Sequence, residues 1–148
     1  MIKIFATSLC LIAVLMASAQ DRNEPPKNVR ASFQNSYPHS QPSRWDHSSV
    51  GWSVEFEDRD HDNGEVIAHF DNRGRHIDTH VFYDNNDVPP PVMENLNRKY
   101  QGADDYEFNR IERQGQRGVF QVHFRHNNRY RTVYVDDRGH EKEYHDRH

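Results

Sequence analysis

Beyond residue 19 the chain has no cysteine; the only one, Cys10, lies in the apolar stretch at the amino terminus. A disulfide framework, a thiol nucleophile and a cysteine-ligated metal are therefore excluded from the rest of the chain. No later segment is apolar enough to span a membrane. The chain also has no surplus of positive charge, with 19 Lys and Arg against 23 Asp and Glu. That argues against nucleic acid or an anionic membrane surface as the main partner. There is no G-x-S-x-G elbow, so nucleophilic hydrolysis has no motif to rest on. Mean hydropathy is −1.11, a polarity shared with disordered chains.

What is present opposes disorder. Of 17 Phe, Trp and Tyr residues, only Phe5 precedes residue 20. Each buried ring removes far more apolar area from water than a small aliphatic side chain does. The expectation is a compact unit with a thin, aromatic-rich core. Residues 1–19 read as an export signal: Lys3, an apolar run from Phe5 to Met16, and the small-residue site Ala17-Ser18-Ala19. Cleavage there predicts a start at Gln20 or Asp21 and a periplasmic or secreted protein, with no membrane span left. Lys3 is the only charge removed, so the formal charge moves from −4 to −5. All 11 His remain, which makes association sensitive to mildly acidic pH.

The order of residues is doubled. Phe70-Asp71-Asn72-Arg73-Gly74 returns as Val135-Asp136-Asp137-Arg138-Gly139. Pro25-Pro26 opens a helix carrying Val29, Phe33 and Tyr37 on one face; Pro89-Pro90-Pro91 opens another carrying Val92, Leu96 and Tyr100. Trp52, Val54 and Phe56 alternate with polar residues, as do Phe120, Val122 and Phe124. A repeat of this length predicts two similar units. The expected fold class is α+β, as two tandem modules, 20–86 and 87–148. Each would hold one helix packed on a four-stranded antiparallel meander. Ala68, Phe70, Ile77 and Val81 are expected inward in the first, and Glu141 to His145 is expected to supply the last strand of the second.

The order Pro26, Val29, Phe33, Tyr37, Trp45, Val54, Phe56, Phe70, Asp71, Gly74 resembles the PepSY-like domains of exported bacterial proteins, also described as beta-lactamase-inhibitor-like. Pro89, Val92, Leu96, Tyr100, Phe108, Val122, Phe124, Val135, Asp136 and Gly139 repeat it. The resemblance implies a tandem pair of helix-plus-sheet modules and a noncatalytic binding role outside the cytoplasm. The implied partner is a peptidase or other hydrolase. The chain departs from the beta-lactamase inhibitor protein in having no disulfide to brace it, so no inhibitory residue carries over.

Strand alternation places the candidate binding residues on the face away from the helices: Glu55, His69, His76, Asp78, His80, Gln121, His123 and Tyr134. Two readings stand for this face, a solvated surface or a ligand or metal site. A metal needs cross-strand help, for example His69 beside His76 or His80. Asp58, Asp60 and Asp62 are the other candidate metal ligands. Their loop fails the calcium pattern, because Gly64 comes one place late and the twelfth position is His69. Asp71 and Asp136 are explained by turns, in which Asp bonds the backbone and Gly takes positive φ. Trp45 or Phe82, if exposed, would be a binding anchor. No motif calls for a cofactor. The expected function is an exported, noncatalytic envelope protein that binds a protein partner, with a small-ligand or Zn/Ca binder as the alternative.

Overall fold

The computed structural model describes residues 24–58 and 65–144. The export signal expected at 1–19 lies outside the described residues, and so do Asp60 and Asp62. The element order is α1 (Lys27–Ser36), β1 (Pro42–His47), β2 (Trp52–Glu57), β3 (Glu65–Phe70), β4 (His76–Tyr83), α2 (Pro90–Lys99), β5 (Asp104–Glu112), β6 (Val119–His126) and β7 (Arg129–Val135).

Both helices start behind prolines, which lack the N–H that a first turn leaves unpaired anyway. Ten residues make a marginal helix in water, so packing holds each in place. α1 buries Val29 and Phe33, and α2 buries Val92 and Leu96. Tyr37 and Tyr100 end the helices and lie against Phe56 and Phe124, with ring centroids 4.5 and 4.8 Å apart. Alternation in β2, β3 and β6 puts Trp52, Val54, Phe56, Val66, Ala68, Phe70, Phe120, Val122 and Phe124 on the helix side. Fully burying one such side chain contributes roughly 1.5–3 kcal/mol.

The expected pair of separate four-stranded modules is wrong. β4 pairs antiparallel with β5, from Thr79 opposite Glu112 to Tyr83 opposite Phe108. All seven strands form one sheet in the order β1-β2-β3-β4-β5-β6-β7. Two unpaired strand edges would otherwise face water. Two groups of buried side chains lie under the helices, and Tyr83 packs against both. Among the described residues the eighth strand does not form either: beyond β7, Glu141 makes only an isolated bridge with Val135, and His145 lies outside the described residues. The alternating apolar residues that would dock a strand are missing from Glu141-Lys142-Glu143.

One bulge changes the reading of β4. His69 faces Asp78, but the next residue, Phe70, faces His76, so Ile77 is the extra residue. Thr79 and Val81 still point toward the helices. His76 moves to the helix side, and Ile77 leaves the place expected of it.

Candidate functional site

The face without helices carries two polar groupings, one in each half of the sheet. The first centres on Asp78. Direct cross-strand pairing sets His69 beside it, and His80 follows two residues along the same strand face. His69 Nδ1 lies 2.8 Å from Asp78 Oδ1, and His80 Nε2 lies 3.5 Å from the same oxygen. Arg113, just past β5, reaches Oδ2 with Nη2 at 3.2 Å and Nε at 3.4 Å. Asp78 is completely buried although it belongs to the open face. Burial opposes its charge, but hydrogen bonding from His69 and His80 outweighs that and holds the carboxyl far below its usual range. The His69 and His80 rings meet edge to face at 5.0 Å.

The second grouping is a neutral ladder. Asn109 Nδ2 donates to Gln121 Oε1 at 2.7 Å, and Gln121 Nε2 donates to the Tyr134 hydroxyl at 2.9 Å. His123 Nδ1 and Thr132 Oγ1 lie 3.0 Å apart, and the His123 ring stacks on Tyr130 at 5.1 Å. Tyr144 stacks on Tyr134 at 4.5 Å, with Arg113 over its ring at 4.9 Å. The carboxy-terminal stretch thus ties the two groupings together. Beside the ladder lies a concavity of about 620 Å³, lined in part by Phe82, Glu107, Asn109, Gln121 and His123. Phe82 is 40 % exposed at its wall. Asn109 Oδ1, inaccessible to water, has no protein hydrogen-bond partner.

The sequence-derived site residues divide as follows. Glu55, His69, Asp78, His80, Gln121, His123 and Tyr134 share the open face. Glu55 stands apart from the clusters and pairs with Arg44 at 3.0 Å. His76 does not join them: it lies 3.4 Å from the Tyr37 hydroxyl and 2.9 Å from Thr79 Oγ1. Tyr37 also bonds Thr79. Burial lowers the His76 pKa and raises that of Tyr37. Trp45 packs edge-on against Phe33 at 5.5 Å, which leaves Phe82 as the exposed aromatic of the two considered. Asp58, of the acidic loop, directly follows the end of β2.

Asp71 and Asp136 build their turns. Asp71 Oδ1 accepts from the N–H groups of Arg73 and Arg75, and Asp136 Oδ1 from those of Arg138 and His140. Arg113 and Asn109 escaped the sequence reading. Arg113 follows the end of a strand, and no pattern links it to Asp78, 35 residues earlier. Asn109 had a usable signal, since it alternates with Phe108 in β5.

No family model matches this chain, and no curated protein matches it in sequence. Solved structures do share its fold. A DUF2874 family protein from Bacteroides uniformis superposes with a TM-score of 0.70 at 16% identity, over 80% of this chain and 86% of that one. A protein from Bacteroides eggerthii, described as a candidate periplasmic protein, gives 0.69 at 10% identity over 80% and 86% of the two chains. A BLIP-like protein from Bacteroides fragilis gives 0.65 at 19% identity, again over 80% and 86%. At these identities the likeness is one of fold: this chain has the architecture of the DUF2874 and BLIP-like structures.

Proposed function

We propose that the protein is an exported, noncatalytic binder of the cell envelope that engages a protein partner through the helix-free face of its sheet. The class of partner we assign is a peptidase or other hydrolase. The observation that carries this reading is the concavity beside Phe82. An exposed aromatic ring stands next to Asn109, Gln121 and His123, whose polar groups face the same space. Aromatic anchors flanked by polar groups are the usual energetic centre of a protein interface. A pleated sheet holds them rigidly, so little ordering entropy is lost on binding. The fold likeness to a BLIP-like protein and to a candidate periplasmic protein supports the same direction. Among the described residues no helix is long and apolar enough to cross a membrane.

The test joins location to capture. Mass spectrometry of the envelope and culture fractions is expected to find a chain starting at Gln20 or Asp21. The immobilised protein is expected to capture one hydrolase reproducibly from envelope extract and to lower its activity. Phe82→Glu abolishes that capture, while Lys27→Ala on the opposite side leaves it intact. Capture that survives Phe82→Glu removes the assigned face, and an uncleaved chain retained in the cytoplasm removes export.

A further inference from the structure

We infer that His69, Asp78 and His80 form a binding site for a first-row divalent cation of the zinc type. Three observations converge on it. First, two imidazole nitrogens and one carboxylate oxygen lie within 4.8 Å of one another, on adjacent, directly paired strands. Ligand atoms around a tetrahedral zinc ion stand roughly 3.3 Å apart, given bonds of about 2.0–2.1 Å. His69 Nδ1 and Asp78 Oδ1 need only separate slightly from 2.8 Å to admit the ion. Second, both nitrogens converge on one oxygen, Oδ1, so a cation can take the place of the protons now shared there. Third, Arg113 bonds the other oxygen, Oδ2, through two nitrogens. This is the orienting contact that supports a metal-bound carboxylate from behind.

The donor set selects the metal. Two imidazoles and a single carboxylate suit zinc, copper(II) or nickel(II), and offer too few oxygens for calcium or magnesium. Access is available, because the His69 and His80 side chains are 29% and 18% exposed while Asp78 is sealed beneath them. The bulge at Ile77 supports the arrangement. It turns His76 away to the helix side and leaves Asp78 and His80 on the open face. Among the described residues, the Asp78 carboxylate and the Arg113 guanidinium pair at the site and offset each other's charge. Binding is expected in the micromolar range.

Calorimetric titration of the purified, tag-free protein with Zn²⁺ tests the site, with Co²⁺ absorption spectra reporting tetrahedral coordination. One equivalent is expected to bind. His69→Gln and His80→Gln each weaken it by more than about tenfold, and Arg113→Gln weakens it by about tenfold. His123→Gln, on the neutral ladder, leaves it unchanged. Circular dichroism establishes that each variant is folded; the two histidine changes are at partly exposed positions and decide the matter if Asp78→Asn does not fold. Absence of heat at micromolar protein overturns the proposal. Zinc binding that persists when both His69 and His80 are replaced overturns it equally, by locating the ion on other histidines.

Discussion

Phe56 under Tyr37 and Phe124 under Tyr100 occupy matching places in the two halves of the sheet, at 4.5 and 4.8 Å. Gly74 tucks beneath α1 at Asn28, and Gly139 beneath α2 at Pro91. Asp71 and Asp136 each accept two backbone N–H groups in the turns that follow β3 and β7. On the opposite face the halves part company. One carries a buried carboxylate held by two imidazoles and a guanidinium; the other carries an uncharged chain of Asn109, Gln121 and Tyr134. The difference teaches where this fold constrains its sequence. The helix side must be apolar and closely packed, because that is where hydrophobic stabilisation arises. The open side needs only satisfied polar groups, and charged or neutral networks serve equally well. Binding chemistry is free to diverge there.

The largest expected effects test the sameness of the helix side. Phe56→Ala and Phe124→Ala each cost about 3–5 kcal/mol, by lost transfer energy and the cavity left behind. Because β4 and β5 join the halves, denaturant unfolding of either variant is expected as one transition. Two separate transitions would break the comparison, by showing that each half folds alone. Next comes the charged grouping. Asp78→Ala removes the buried carboxylate shared by His69, His80 and Arg113 and costs about 3 kcal/mol in the same measurement.

Turn glycines come third. Both take positive φ, +81° at Gly74 and +79° at Gly139, where any side chain is strained. A Cβ on Gly74 would sit 2.9 Å from the Asn28 carbonyl oxygen. One on Gly139 would collide with the Pro91 carbonyl oxygen more severely. Gly139→Ala is expected to lower stability by about 2–3 kcal/mol and Gly74→Ala by about 1–2 kcal/mol. Thermal melts that rank them in the reverse order would contradict this packing.

The paired turn aspartates come fourth. Partial burial works against the charge on Asp136, but bonds from the His140 and Arg138 N–H groups and from Lys142 lower its carboxyl from 3.8 to about 2. Bonding from the Arg75 N–H lowers that of Asp71. A depressed carboxyl stabilises the fold above its ordinary pKa, and the gain disappears as pH falls toward the folded value. Asp136→Asn is thus expected to cost about 1 kcal/mol at neutral pH. That deficit shrinks as pH drops from 3.8 to about 2, which acid titration followed by circular dichroism would show. The smallest effect sharpens the contrast with Asp78. Gln121→Ala removes a rung of the neutral ladder and costs about 1 kcal/mol, since no charge is left unpaired.

Much of this was legible from residue order. Helix starts at the prolines, the alternation of Trp52, Val54 and Phe56, and the Asp–Gly turns all arise from local rules of φ, donor supply and side-chain period. The shared side of His69, Asp78 and His80 followed from alternation too, as did that of Gln121, His123 and Tyr134. His76 was misplaced because a single extra residue, Ile77, reverses the side of everything before it in the strand. Arg113 was missed because nothing in its neighbourhood announces a partner in β4.

The amino-acid order by itself determined both helices, the seven strands that form and the dry side of β2, β3 and β6, because those depend on near neighbours in the chain. The union of both halves into one seven-stranded sheet was decided only in three dimensions. Strands join through backbone N–H and C=O groups that nearly every residue possesses, so the meeting of β4 and β5 leaves no side-chain signature. The same assembly delivers Arg113 to Asp78 and completes the grouping that distinguishes one half from the other.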